Sequence, residues 1–222
     1  MKILILGIVL AVLLAGCSER EKPAVPKPSG DAKAGKAVAE RECKTCHGLD
    51  GRGVAPGIPH LAAQRERYLL LALTEYKEVK RTHAALRELA GRLTGSDLRN
   101  VVAYYASQPA VPAAPERGAQ QASLLDKGKA LAAACVKCHG EEGNSRTPGI
   151  PSLAGQQPQY LVTAVQEYHR GERRTAPMEK MLRNAGRRAL ESLALYLASR
   201  TPAQRPPPAR GDPAAGQPLT AM

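Results

Sequence analysis

Two six-residue stretches decide the fold: "CKTCHG" at Cys43–Gly48 and "CVKCHG" at Cys135–Gly140. Cys43 and Cys135 lie 92 positions apart. The same spacing carries "PGIP" at Pro56–Pro59 onto Pro148–Pro151, Gln64 onto Gln156, Tyr68 onto Tyr160 and Glu75–Tyr76 onto Glu167–Tyr168. It runs without a gap to "AS" at Ala106–Ser107 and Ala198–Ser199. A match this long marks a duplicated domain rather than a short stacking repeat.

Each copy reads as helices joined by long loops. Helices are expected before each motif, over Ala32–Arg41 and Asp126–Ala134. Gly/Pro-rich loops follow at Gly48–Pro59 and Gly140–Pro151. Middle helices run from Tyr68 and Tyr160. The closing helix of copy one lies in "GSDLRNVVAYYAS", with Ser96 as its expected N-cap and an apolar stripe of Leu98, Val101, Val102 and Tyr105. Copy two closes with "RRALESLALYLAS". No strand alternation appears, so the expected fold class is all-α.

Two cysteines three apart, followed at once by histidine, form the attachment pattern of c-type haem. On one helical turn both thiols reach the vinyl groups and form thioethers, and the adjacent histidine faces the iron. Cys43, Cys46, Cys135 and Cys138 are thus the expected attachment points, and His47 and His139 the expected iron ligands. A zinc site would need four converging ligands drawn from both copies. It would leave the repeat itself unexplained.

Composition agrees with a cofactor-centred core. Phe and Trp are absent, leaving Tyr as the only aromatic. A small domain without large core fillers buries little apolar surface and often needs a cofactor, metal or disulfide. The formal charge is +12, with basic runs over Arg65–Arg99 and Arg170–Arg188. Solvated helix faces and a docking surface for an acidic partner both fit these runs.

The N-terminus argues against nucleic acid as the partner. Lys2 and the apolar run Ile3–Leu14 fit a secretory signal over residues 1–16 and are short for a permanent span. "LAGC" at Leu14–Cys17 resembles the bacterial lipobox, which implies export to the periplasm and acylation of Cys17. A plain signal peptide is the alternative. Ser18 in place of an aspartate leaves either membrane open. The Pro-rich segment to Gly30 makes an extended tether of roughly 40 Å at about 3.1 Å per residue. Domain one is then 31–108, a linker 109–122, domain two 123–200, and 201–222 a disordered Pro-rich tail.

The span Asp31–Ser199 resembles tandem dihaem class I cytochromes c of the cytochrome c4 kind. The carrying motifs are "CKTCHG…PGIPHLAAQRERYLL…DLRNVVAYYAS" and "CVKCHG…PGIPSLAGQQPQYLV…LESLALYLAS". The resemblance implies two covalently attached haem c groups. It implies that the carbonyls of Pro59 and Pro151 accept the far-nitrogen proton of His47 and His139, fixing the ring and raising its basicity. It implies a methionine on the iron's other side. In copy two this maps to Met178, with Met181 as core packing. Copy one has Leu86 and Leu89 at those positions. Either His83 supplies the sixth ligand or the iron stays open to a small molecule. His60 is expected at the surface or near a propionate, and His169 exposed on the middle helix.

The implied function is single-electron transfer between periplasmic or respiratory redox proteins, for example to a terminal oxidase, with acidic docking sites on the partners. Two alternatives stand beside it. One is a haem enzyme acting on peroxide or a sulfur compound at copy one. The other is a cytochrome subunit of a larger dehydrogenase or oxidase.

Overall fold

The computed structural model describes residues 30–113 and 119–204. The signal segment, Cys17, nearly all of the tether, linker residues 114–118 and the tail from 205 lie outside the described residues. Among those described, every regular element is helical. Copy one contains α1 (Ala32–Val38), a π-helical turn (Ala39–Cys43), α2 (Lys44–His47), α3 (Glu66–Lys77), α4 (Ala84–Arg92) and α5 (Gly95–Ser107). Copy two contains α6 (Ala119–Ala132), α7 (Val136–His139), a 3-10 turn (Glu141–Gly143), α8 (Pro158–His169), α9 (Ala176–Leu182) and α10 (Arg187–Ser199).

The first helix of each copy crosses the last: α1 packs on α5, and α6 on α10. The crossings are close enough to demand glycine. A Cβ on Gly35 would stand 1.9 Å from the Asn100 carbonyl oxygen, and one on Gly128 would stand 2.2 Å from that of Ser192. Asn100 and Ser192 obey the 92-residue spacing, but Gly35 and Gly128 are 93 apart. Copy one therefore has one residue more, or fewer in copy two, between crossing and cysteine. The π-helical turn at Ala39–Cys43 takes up that residue by widening one turn. Crossing and motif thus keep the same relation in both copies.

Around each crossing sits a small, mostly aliphatic core: Val38, Leu93, Leu98, Val101, Val102 and the aromatic Tyr105 in copy one, and Leu125, Leu161, Ala194 and Leu197 in copy two. The hydroxyls of Tyr104 and Tyr105 donate to the carbonyls of Leu49 and Gly48, at 2.8 and 2.9 Å. These bonds clamp α5 onto the chain just past the first CxxCH.

Three local expectations are corrected. The N-cap of α5 is Thr94, not Ser96, because Asp97 closes a capping box with it. The linker 109–122 is shorter than read, since α6 already begins at Ala119. The tail's first residues, 201–204, are held: Asn144 bonds the Thr201 carbonyl and the Ala203 amide, and Gln204 accepts from the Ala110 amide.

The copies join through a pseudo-twofold exchange of glutamines. Gln156 accepts from the His60 amide (2.7 Å) and donates to the His60 carbonyl (2.9 Å). Gln64 does the same to Ser152, at 2.8 and 2.9 Å. Both glutamines are 6% exposed. Beside them, Arg81 pairs with Glu75 at 2.5 Å and Arg173 with Glu167 at 2.6 Å, both guanidiniums buried and lying over tyrosine rings. Burial pushes the Tyr68 phenol up, but the Arg173 and Arg81 charges outweigh it and hold it below its ordinary value.

Candidate haem sites

In each CxxCH the second cysteine and the histidine lie on one helical turn, α2 or α7, and the first cysteine is its N-cap residue, which places both thiols and the imidazole on one short stretch of backbone. All four cysteines are free. Cys46 and Cys138 are exposed, whereas Cys43 and Cys135 are half-buried. Burial, then the neighbouring Glu42, pushes the Cys43 thiol up to about 11, and burial raises Cys135. No disulfide competes for these sulfurs.

Twelve residues past each histidine the loop returns its proline. His47 Nδ1 lies 3.0 Å from the Pro59 carbonyl oxygen, and His139 Nδ1 lies 2.9 Å from that of Pro151. A carbonyl can only accept, so Nδ1 carries the proton and Nε2 keeps a free lone pair. Burial lowers both imidazole pKa values, partly countered by the proline bonds, so both rings are neutral at physiological pH.

The other histidines are held differently. His60 Nδ1 accepts from the Gly53 amide at 3.0 Å, and His83 Nδ1 accepts from the Leu86 amide at 3.4 Å. In both rings the proton therefore sits on Nε2. His169 donates through Nε2 to the Leu182 carbonyl at 2.6 Å. Only the two CxxCH histidines present Nε2 as a donor to a metal. Among the described residues, no cluster of three or more His, Cys, Asp or Glu converges. The donor set, two thiols and one Nε2 per copy, fits haem c.

Met178 is the third residue of α9 and half-buried. Met181 is 47% exposed, so the core-packing expectation for it fails. Leu86 is the third residue of α4, matching Met178 in register. His83 is exposed and caps α4. His60 is half-buried at the seam between the copies rather than at the free surface, and His169 is exposed at the end of α8 as expected.

Sequence reasoning missed the glutamine exchange and the Arg–Glu–Tyr cluster. Their signal was present in the repeated Gln64/Gln156 and Glu75/Glu167 pairs.

Glu66 opens α3 with one carboxylate oxygen buried and without a partner. Burial pushes its carboxyl up to about 7. Its unfolded value is about 4.3, so the folded state holds the proton more tightly and stability falls as pH rises from there through 7. Glu66→Gln should leave the melting temperature unchanged at pH 4 and raise it by about 3 °C at pH 8. Scanning calorimetry of the haem-loaded protein at both pH values checks this, and a pH-independent change would refute it.

A family model for cytochrome c matches residues 32–108 and 125–199. Cytochrome c4 of Pseudomonas aeruginosa is 39% identical over 150 residues, spanning 65% of this chain and 74% of that one. A thiosulfate dehydrogenase electron acceptor of Stutzerimonas stutzeri is 29% identical over 157 residues, spanning 67% and 73%. The crystal structure of reduced cytochrome c4 from Pseudomonas stutzeri superposes with a TM-score of 0.68 at 27% identity, covering 77% of this chain and 99% of that one. With its paired motifs and duplicated helical domains, the chain belongs to the cytochrome c family, as a two-haem electron-transfer protein of the cytochrome c4 type with haem c covalently bound in each copy.

Proposed function

We propose that the protein is a periplasmic carrier, tethered to a bacterial membrane through Cys17, that passes single electrons between redox proteins. The observation that carries this reading is the tautomer selection at His47 and His139: each ring is locked by its proline with Nε2 ready for iron. Haem supplies the one-electron couple when bound. The chain supplies the rest. Cys43, Cys46, Cys135 and Cys138 would hold the group, and His47 and His139 would ligate its iron through Nε2. Pro59 and Pro151 fix the rings, and Met178 would supply a thioether donor in copy two. Among the described residues no helix is long and apolar enough to cross a membrane, and the proposed attachment is through Cys17.

The proposed partners are acidic, and the charges favour copy two as their docking face. Its segment 174–191 carries Arg174, Lys180, Arg183, Arg187 and Arg188 against Glu179 and Glu191, whereas the matching 82–99 of copy one carries Arg87, Arg92 and Arg99 against Glu88 and Asp97. The five copy-two cations are exposed and flank the exposed Met181. The likeness to a thiosulfate dehydrogenase electron acceptor favours a dehydrogenase as donor. Reversing Arg183 and Arg188 to glutamate should slow electron exchange with an acidic redox partner about tenfold at low salt and little at high salt. Stopped-flow kinetics at two ionic strengths reads this out; equal slowing at both would disconnect these residues from docking.

Expression beside a haem-attachment system tests the assignment. The mature mass should include two haem increments. Serine at both Cys43 and Cys46, or at both Cys135 and Cys138, should remove one each. Cys17→Ser should move the protein from the membrane to the soluble fraction. A colourless product, or a Cys17→Ser chain that stays on membranes, would defeat the corresponding part.

A further inference from the structure

The copies differ at the position that supplies copy two with Met178, where copy one has Leu86. We propose that the haem of copy one keeps an open distal position, walled by Leu86 and Leu89, that takes a neutral diatomic ligand of the carbon monoxide or nitric oxide class. This rests on the haem assignment above. Leu86 occupies the α4 position that Met178 occupies in α9, and a leucine has no donor atom. The nearest alternative, His83, accepts from the Leu86 amide through Nδ1 and so carries its proton on Nε2. Its ring stands edge-on to Tyr76 at 6.5 Å. To ligate through Nδ1 it would have to abandon the cap, and to ligate through Nε2 it would also have to move its proton to Nδ1. His60 is held in the same tautomer by Gly53. Leucine walls offer neither a hydrogen bond nor a counter-charge, so an anion would be desolvated without compensation while a neutral diatomic would not.

Anaerobic titration of the reduced, haem-loaded protein with carbon monoxide tests this. About half of the total haem absorbance should shift in the wild type. Leu86→Met should abolish the response, and His83→Ala should leave it unchanged. No response in the wild type, or one that appears only in His83→Ala, would mean that His83 fills the site and would overturn the proposal. A response from both haems would support the open site and overturn Met178 instead, so the two assignments fail separately.

The glutamine exchange carries a second inference. The peptide group between Pro59 and His60 accepts from His47 through its carbonyl and donates to Gln156 through its amide. The peptide between Pro151 and Ser152 links His139 to Gln64 in the same way. We infer that each glutamine tunes the iron of the opposite copy. Donation to the glutamine polarises the peptide, makes its carbonyl a stronger acceptor and so makes the histidine a stronger donor to iron. Gln156→Leu should raise the midpoint potential of the copy-one haem, and Gln64→Leu that of the copy-two haem. Spectroelectrochemistry distinguishes the haems by the methionine–iron absorption of ferric copy two. Gln156→Glu keeps the acceptor and should reverse the Leu shift. Shifts that follow the substituted copy, or loss of stability with no change in potential, would overturn the inference.

Discussion

Met178→Leu should lower the midpoint potential of one haem, by on the order of 0.1 V, and leave the other near its wild-type value. The thioether is a neutral, soft donor that favours ferrous iron, and axial ligands as a class span roughly 0.8 V. The substitution costs little in packing, because the side chain is half-buried and leucine is close in volume. It makes the α9 position match Leu86 in α4. Carbon monoxide should then bind both haems, so one variant reports on both distal sites. A redox titration in which neither potential moves would remove Met178 from the iron.

Arg173→Ala should be the most destabilising of the single substitutions considered. Its side chain is 5% exposed, bonds Glu167 through two nitrogens at 2.8 and 2.6 Å, and lies over the rings of Tyr160 and Tyr168. Removing it leaves a largely buried carboxylate unpaired, a loss of about 3–5 kcal/mol. That corresponds to a fall in melting temperature of about 10 °C for a protein of this size. Arg187→Ala is the control. Its pair with Glu191 is made at 2.9 Å, but the two side chains are 81% and 47% exposed. Water already screens that pair, so its loss costs less than about 1 kcal/mol. Equal effects in thermal unfolding would show that burial does not govern these two pairs.

Much of the architecture was legible because it repeats. The 92-residue spacing located both copies, the helical periodicity located the middle and closing helices, and CxxCH located the cofactor. The proline bonds were anticipated from family resemblance, and the backbone places them where expected. What escaped was the chemistry between copies. A glutamine that bonds a distant main chain has no periodicity or motif of its own, and only its recurrence at the repeat spacing hinted at a shared task. Ser96 was mistaken for a cap because Thr94 and Asp97 make theirs as a pair. The extra residue before Cys43 was invisible because a π-helical turn absorbs it without shifting the motif. His83 looked like a spare ligand in the sequence. The direction of one hydrogen bond decides which of its nitrogens holds the proton.

The seam between the copies includes two glutamines that grip main-chain groups rather than side chains. A main-chain partner is available from any chain with this loop, so one half released from the other would carry both faces of an isologous dimer. Joining two such halves in one polypeptide makes their meeting intramolecular and independent of dilution. Partnership no longer constrains the two halves to stay alike, and one can surrender its methionine while the other keeps it.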